Sequence, residues 1–386
     1  MRMIHITRAT AKPTTHRNRK GGELKIAQIS LYQVSLPLKA PYRVSFRTYT
    51  EFEPLLVEMR DDEGRSGWGE AYIPAGSTAE TIDSAWAFCR EQAALFIGKT
   101  VYEARSTLDE KAESAPFAVA AMRTALDLLS RHPALKVERE IRIPLLVPVA
   151  SKADPEINDE VERLLDVGYR TLKVKVGWNV EDDLARVSAV QRAVHGRAQI
   201  TIDANRAYTC EQGCQFASSL EPAGIALFEQ PCEADEWVAN AAVAKVSTVP
   251  LMLDESIRSV RDIERAATIE GVKLVKLKLK RLGGIDRALE AMRAAREVGL
   301  DVCLGDGVAT DLLCWVEACA GRGFLNRAGD MNGFLKPRSS LLKEPLAFEN
   351  GSVVLKPGYW PEVDPAIINA NQIRSERFAR AAVAQS

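Results

Sequence analysis

The chain predicts an α/β fold: a (β/α)7-8 barrel of the TIM type, with an α+β capping domain built from the N-terminal segment and the C-terminal tail. Three observations predict it. Beyond Glu140, apolar runs of strand length alternate without a break with stretches of helical periodicity. Charged residues close five successive runs at Lys175, Asp203, Glu229, Asp254 and Lys278, in steps of 28, 26, 25 and 24 residues. Each step is about one strand, loop, helix and loop of a parallel barrel. Before Glu140 the order is different, with short alternating strands first and helices after them.

Residues 1–23 carry Arg2, Arg8, Lys12, Arg17, Arg19 and Lys20 with no acid before Glu23, and are expected to be a flexible basic extension. Residues 24–140 form the capping unit. KIAQISLYQVSLPL alternates as a strand, PYRVSFRTYTEF reads as a loop, and PLLVEMRDDEGRSGWGEA reads as two strands about the turn from Asp61 to Gly64. AETIDSAWAFCREQAALFIG and SAPFAVAAMRTALDLLSRH have helical spacing, with N-caps expected near Ser77-Thr78 and Ser114. Residues 141–337 are the barrel. Its eight strands are read in IPLLVPV, TLKVKVG, QITIDA, IALFEQP, VPLMLDES, KLVKLKL, LDVCLGD and GFLNRAGD. After Pro337 the alternation lapses, and LAFENGSVVLKPGYWPEV reads as a glycine-turned hairpin. The segment 338–386 is expected to return to the cap.

At 386 residues the chain has room for a barrel of roughly 250 residues and a second domain. Its 51 basic and 52 acidic residues leave no general field for nucleic acid or an anionic membrane, and no apolar run is long enough to span a bilayer. The partner indicated is a small molecule. Seven scattered cysteines (Cys89, Cys210, Cys214, Cys232, Cys303, Cys314, Cys319) suit reduced thiols in a cytoplasmic protein. Cys210 and Cys214 have no further His or Cys pair at zinc-like spacing.

The barrel topology gathers strand ends on one rim, so the five charged residues become neighbours. A single strand-end acid is ordinarily paired with a nearby Lys or Arg. Three in register, Asp203, Glu229 and Asp254, repel one another unless a cation sits among them, and an all-oxygen donor set favours Mg²⁺. Lys173 and Lys175 stand two apart and share the inward side of their strand. Lysine pairs of this kind supply a general base and a charge that stabilises an enediolate. Across the ring, Lys276, Lys278 and Lys280 have equivalent spacing, and periodicity does not choose among them. A prochiral carbon held between the two sides loses a proton to one lysine and regains it from the other.

These residues carry a resemblance. The chain resembles the enolase superfamily, in the muconate-lactonizing-enzyme subgroup that includes dipeptide epimerases and acylamino-acid racemases. The K-x-K, D-x-N, E-Q-P and D-E-S motifs of that subgroup fall on Lys173 to Lys175, Asp203 to Asn205, Glu229 to Pro231 and Asp254 to Ser256. Its K-x-x-[KR]-x-G-G falls on Lys278, Arg281, Gly283 and Gly284, and Gly69-Glu70-Ala71 is also family-like. The resemblance implies that the three acids bind Mg²⁺, that Lys175 and Lys278 are the acid/base pair beside Lys173, and that Asn205 and Glu255 support them. It implies a homo-oligomer as well.

The mandelate racemase branch, with a histidine base on strand seven, is disfavoured. That strand ends in Leu304-Gly305-Asp306-Gly307, and His5, His16, His132 and His195 lie away from strand ends. Asp306 stands where the subgroup commonly has a Glu-Ser pair. Asp330 and Asn332 look like a variant of the D-x-D that receives an α-ammonium, and Tyr42, Arg43, Phe46, Arg47 and Tyr49 occupy the loop that closes over substrate in this family. The expected reaction is racemisation or epimerisation of an amino acid derivative through an enediolate. A dehydratase or cycloisomerase is the alternative through the same intermediate, and a metal-free Schiff-base aldolase the alternative from another class.

Overall fold

The computed structural model describes residues 23–44, 47–74 and 78–380; the basic extension, Phe46 and Ser77 lie outside the described residues, Glu23 excepted. The first described unit comprises β1 (Ile26–Val34), β2 (Leu36–Val44), β3 (Arg47–Phe52), β4 (Leu55–Asp61) and β5 (Ser66–Ala71), then α1 (Ile82–Phe96), α2 (Val101–Lys111) and α3 (Pro116–Leu129). The segment read as a loop after Pro41 is instead part of a hairpin, in which Tyr42 pairs with Tyr49 and Arg43 with Thr48. Its aromatic and β-branched residues favour strand over loop. The turn between β4 and β5 is held by Asp61, whose carboxylate accepts from the Glu63 and Arg65 amides.

Helix α1 begins at Thr81, later than the Ser77-Thr78 expected, because Thr81 and Ser84 form a reciprocal capping box. Helix α2 was not anticipated, although Thr100 and Glu103 make the same signature. Helix α3 starts with Pro116 at its first turn. It lies so close on β5 that a Cβ on Gly69 would meet the Ala121 carbonyl at 1.8 Å, which accounts for the glycine.

The barrel follows as β6 (Ile141–Pro144), β7 (Val147–Pro148), α4 (Asp154–Asp166), β8 (Thr171–Lys175), α5 (Val180–Val194), β9 (Gln199–Asp203), α6 (Cys210–Ser219), β10 (Ile225–Glu229) and α7 (Trp237–Val246). It continues through β11 (Leu251–Leu253), α8 (Val260–Ala267), β12 (Val272–Leu277), α9 (Leu279–Leu282), α10 (Ile285–Glu297), β13 (Asp301–Leu304) and α11 (Asp311–Gly321). Strands β7 to β13 form one parallel sheet in chain order. The eighth strand read in GFLNRAGD is reduced to a parallel bridge between Leu145 and Gly329. The Leu146 amide donates to Gly329 O at 3.0 Å, the Gly329 amide to Pro144 O at 2.9 Å and the Asp330 amide to Leu304 O at 2.9 Å, so three backbone hydrogen bonds close the ring where a ladder was expected. The segment lacks β-branched residues and is interrupted by glycine, which disfavours a full strand.

Alternation along each strand sorts the side chains. Leu172, Val174, Ile200, Ile202 and Phe228 join the core shared with the helices. Leu146, Leu227, Met252, Leu274 and Cys303 make a separate apolar layer. The inward positions nearer the strand C-termini are charged.

The tail supplies β14 (Phe348–Glu349), β15 (Ser352–Leu355), α12 (Pro365–Asn371) and β16 (Gln372–Ala379). The β14–β15 hairpin was expected to return to the N-terminal unit. It pairs instead with β6, where Val353 faces Ile143 and the Leu145 amide reaches Gly351 O at 2.8 Å, so its apolar residues gain cover at the start of the barrel. Strand β16 does run antiparallel to β1, in a sheet of order β16-β1-β4-β5.

Glu70, at the end of β5, links this sheet to the barrel. Fully buried, it accepts from the Thr310 amide at 2.8 Å, from the Thr310 hydroxyl and from the Leu313 amide, at the N-terminus of α11. Burial still pushes its pKa up to about 7, against those hydrogen bonds. A carboxyl raised on folding favours the native state fully below its unfolded pKa, and that contribution is lost as pH rises through the folded value. Glu70 is thus expected to cost roughly 2 kcal/mol of stability between about pH 5 and pH 8. Urea denaturation of the protein and of Glu70→Gln across that range checks this: the variant should show a flatter pH slope, and an unchanged slope would discard the assignment.

Candidate active site

The acids and lysines singled out in the sequence meet at the C-terminal rim. Lys175 is in register with Asp203, and Asp203 with Glu229, so three neighbouring strands end level. Asp254 lies one residue past β11, where the Gln230 side-chain carbonyl accepts its amide at 2.9 Å. On the far side the strand stops at Leu277. Lys278 is the cap residue of the short helix α9 and Lys280 lies within that helix, so of the three lysines read on one strand face only Lys276 is on the strand. The turn is closed by Gly283 and Gly284, both at positive φ.

A buried ion network joins these groups. Lys173 Nζ donates to Glu229 Oε2 at 2.8 Å, Asp330 Oδ2 at 2.9 Å and Asp203 Oδ2 at 3.2 Å. Lys276 Nζ donates to Glu229 Oε1 at 2.9 Å and to Asp330. Lys175 Nζ donates to Asp203 Oδ2 at 2.6 Å and Asn205 Oδ1 at 2.7 Å. Lys278 Nζ stands 2.9 Å from Asp254 Oδ2, yet that oxygen accepts no hydrogen bond, so the contact is ionic and poorly directed. Arg281 donates to Asp254 Oδ1 at 2.8 Å and to its carbonyl.

Charge balance decides the protonation directions. Burial works against the Lys173 and Lys276 ammoniums, but Asp330 and Glu229 outweigh it and hold both pKa values well above the usual range. Burial likewise opposes ionisation of Asp203 and Asp254. Lys175 and Lys173 overcome it at Asp203, as Lys278 and Arg281 do at Asp254, and both acids sit below their ordinary values. Glu229 goes the other way, raised by burial and then by Asp203. Burial and the adjacent Asp254 push Glu255 up to about 7.

The donor set is carboxylate oxygen throughout, which suits a hard divalent cation such as Mg²⁺, and the Lys278 ammonium beside Asp254 Oδ2 makes no well-directed hydrogen bond to it. Among the described residues the acids do not close on one point, because the Lys173 and Lys276 ammoniums stand between them. Positive charge is therefore already shared among the acids. The chemistry of the donors fits the ion, and Asp203, Glu229 and Asp254 are the residues that could hold it.

Two cavities open above the network. The inner one, about 70 Å³, is lined by Lys175, Asp203, Asn205, Asp254, Glu255 and Lys278, with Tyr42, Asp306 and Asp330 also in its wall. The outer one, about 720 Å³, shares Tyr42 and Lys175 with it and also takes in Arg43 and Arg47. Lys173 lies below both and lines neither, whereas Lys276 reaches the inner one. Sequence reasoning left Lys276 and Lys280 unselected beside Lys278, named Tyr49 only as part of the closing loop, and passed over Lys336. The K-x-x-R spacing marked Arg281, while nothing in the local pattern marked Lys336. Its ammonium contacts Gly307 O at 2.7 Å and Asn332 Oδ1 beneath the Tyr42 ring, and burial lowers its pKa to about 8.

Asp306 is ion-paired with Lys280 at 2.6 Å. Asp330 and Asn332 do not present a vacant receptor for an α-ammonium. Both Asp330 oxygens are engaged, by Lys173 and Lys276 on one side and by Asn332 Nδ2 at 3.0 Å on the other, and Asn332 also holds the Leu146 carbonyl. The pair braces the closing seam of the ring, a demand the D-x-N spacing did not reveal. All seven cysteines are free, five of them buried, and no described helix is long and apolar enough to cross a membrane.

Comparison with known proteins bears on the family and the fold. Residues 156–366 match the family model described as enolase C-terminal domain-like. The chain is 29% identical over 302 residues to an N-succinyl-L-Arg/Lys racemase of Bacillus cereus, covering 75% of this chain and 82% of that protein. It is 32% identical over 313 residues to an N-succinylamino acid racemase of Amycolatopsis, covering 78% and 81%. Its fold superimposes with a TM-score of 0.83 on a dipeptide epimerase from Cytophaga hutchinsonii complexed with Mg and D-Ala-L-Val, at 21% identity over 92% of this chain and 99% of that one.

Proposed function

The chain belongs to the enolase superfamily, its barrel to the enolase C-terminal domain-like family, and from that premise we propose that it racemises or epimerises an amino acid derivative by 1,1-proton transfer between Lys175 and Lys278. One observation carries the reading. The two lysines line the same inner cavity from β8 and from the end of β12, with β9, β10 and β11 between them on the ring. Two bases on opposite sides of one carbon are what inversion requires.

Lys175, oriented by Asp203 and Asn205, takes or returns the proton on one face. Lys278, in ionic contact with Asp254, serves the other. Asp203, Glu229 and Asp254 would hold Mg²⁺, which would supply Lewis-acid stabilisation of negative charge on the substrate carboxylate. Lys276, kept cationic by Asp330 and Glu229 and lining the inner cavity, adds fixed positive charge to the wall. Tyr42 covers the site from β2, its hydroxyl kept protonated by burial. The engaged state of Asp330 favours a substrate whose nitrogen is acylated over one with a free ammonium.

The test is α-hydrogen exchange in D₂O with N-acyl amino acids as substrates, followed by mass and chiral chromatography. Both enantiomers should accumulate with deuterium at the α-carbon when Mg²⁺ is present, and EDTA should suppress the exchange. Formation of an alkene, or a borohydride-trapped lysine with EDTA-insensitive turnover, would replace this reading with a lyase or an aldolase.

A further inference from the structure

We propose that Glu317, buried on α11 outside both cavities, is a positioning residue for Lys278: it caps, from another element, the one-turn helix that Lys278 begins. The inference rests on the two-base reading, since it takes the Lys278 ammonium to be a group whose exact place matters.

Helix α9 has 4 residues, too few to hold itself in water. Its first amides lack partners within the helix, and a serine, threonine or aspartate at the cap position ordinarily accepts from one of them. Lys278 takes that position, and its side chain offers donors alone and makes no capping hydrogen bond. Glu317 Oε1 supplies the missing acceptor, 3.3 Å from the Leu279 amide and 38 residues further along the chain. A lysine kept free for chemistry leaves its own helix uncapped, and α11 provides the cap instead.

A carboxyl at this place is costly to the fold. Glu317 is fully buried, and its second oxygen has no hydrogen-bond partner among the described residues. Burial, and then Asp306, push its pKa up to about 8, so near pH 7 the neutral acid prevails. A leucine would avoid that desolvation, yet the polar group stands where α9 starts. The rest of the helix has its own restraints, because Lys280 is ion-paired with Asp306 at 2.6 Å and donates to Val308 O at 3.1 Å. Losing Glu317 therefore loosens the first turn of α9 and leaves the barrel intact. Lys278 feels that loosening directly, since its one carboxylate contact, to Asp254 at 2.9 Å, is poorly directed and leaves its place to the backbone.

Glu317→Leu removes the acceptor, and Glu317→Gln keeps it in a neutral side chain of the same shape. With the two enantiomers of N-acetylalanine in D₂O, Glu317→Leu should slow one of them, the enantiomer that Lys278→Ala leaves unexchanged. The loss should be about 10²-fold and mainly in kcat, as for a reacting group misplaced by about 1 Å. Exchange of the mirror image through Lys175 should stay within a few-fold of the parent, and Glu317→Gln should restore both. Amide hydrogen exchange over residues 278–284, followed by mass spectrometry, reads the cap without turnover. It should quicken by about tenfold in Glu317→Leu and return to the parent rate in Glu317→Gln. Thermal melting should show both variants folded, and Glu317→Ala carries the same expectation should leucine not fit. Unchanged amide exchange in the leucine variant overturns the inference, as does an equal loss of α-exchange from both enantiomers. Amide protection that leucine removes and glutamine restores, in a protein without α-exchange, keeps the cap and removes the two-base reading. Two-base exchange untouched by Glu317→Leu does the reverse.

Discussion

Lys175→Ala and Lys278→Ala should each lower racemisation by about 10³-fold or more, the upper range for losing a positioned acid or base. Their effects should differ by face. A protein lacking one lysine still has the other to abstract hydrogen from the enantiomer that presents it, so each variant should exchange the α-hydrogen of one enantiomer while failing to produce its mirror image. Single-enantiomer exchange in D₂O, read by proton NMR, separates this from general damage. Circular dichroism should show both variants folded, since Asp203 keeps Lys173 and Asp254 keeps Arg281 when either base is removed. Turnover within a few-fold of the parent in both variants would defeat the two-base mechanism.

Glu229→Gln should be the most destabilising single exchange of charge in the site. Its two oxygens separately hold Lys173 and Lys276, both almost fully buried, and an amide leaves two ammoniums short of countercharge. Breaking a buried ion pair in this way costs about 3–5 kcal/mol. The remaining link through Asp330 argues for the lower end of that range. Thermal denaturation with and without Mg²⁺ adds a second readout: Mg²⁺ should raise the Tm of the parent and leave that of Glu229→Gln nearly unchanged. A variant as stable as the parent, with an intact response to Mg²⁺, would mean that Glu229 neither balances the lysines nor holds the ion.

Much of this site was legible in the residues because a parallel barrel translates strand spacing into proximity. Lys175, Asp203, Glu229 and Asp254 needed only their places at the ends of apolar runs to be put on one rim. Lys278 was harder, since Lys276, Lys278 and Lys280 share one spacing, and only the resemblance to the motif ending in Gly283-Gly284 chose among them. The hairpin carrying Tyr42 and Arg47 was read as a loop because Gly and Asn are absent from its turn, the usual markers of a tight reversal. Asp330 and Asn332 misled for another reason. Their spacing puts both side chains at one place, but whether that place receives a ligand or braces the ring depends on Lys173, Lys276 and Leu146, which no local pattern brings near.

The pairing of β16 with β1 has a consequence for biosynthesis. Residues 372–379 emerge from the ribosome only after the entire barrel, so from Val34 to Gln372 the nascent polypeptide carries β1 with one row of amides and carbonyls unmatched. Through that interval the row is a template for the corresponding segment of a neighbouring copy, and strand exchange between growing chains is the characteristic error this order of assembly invites.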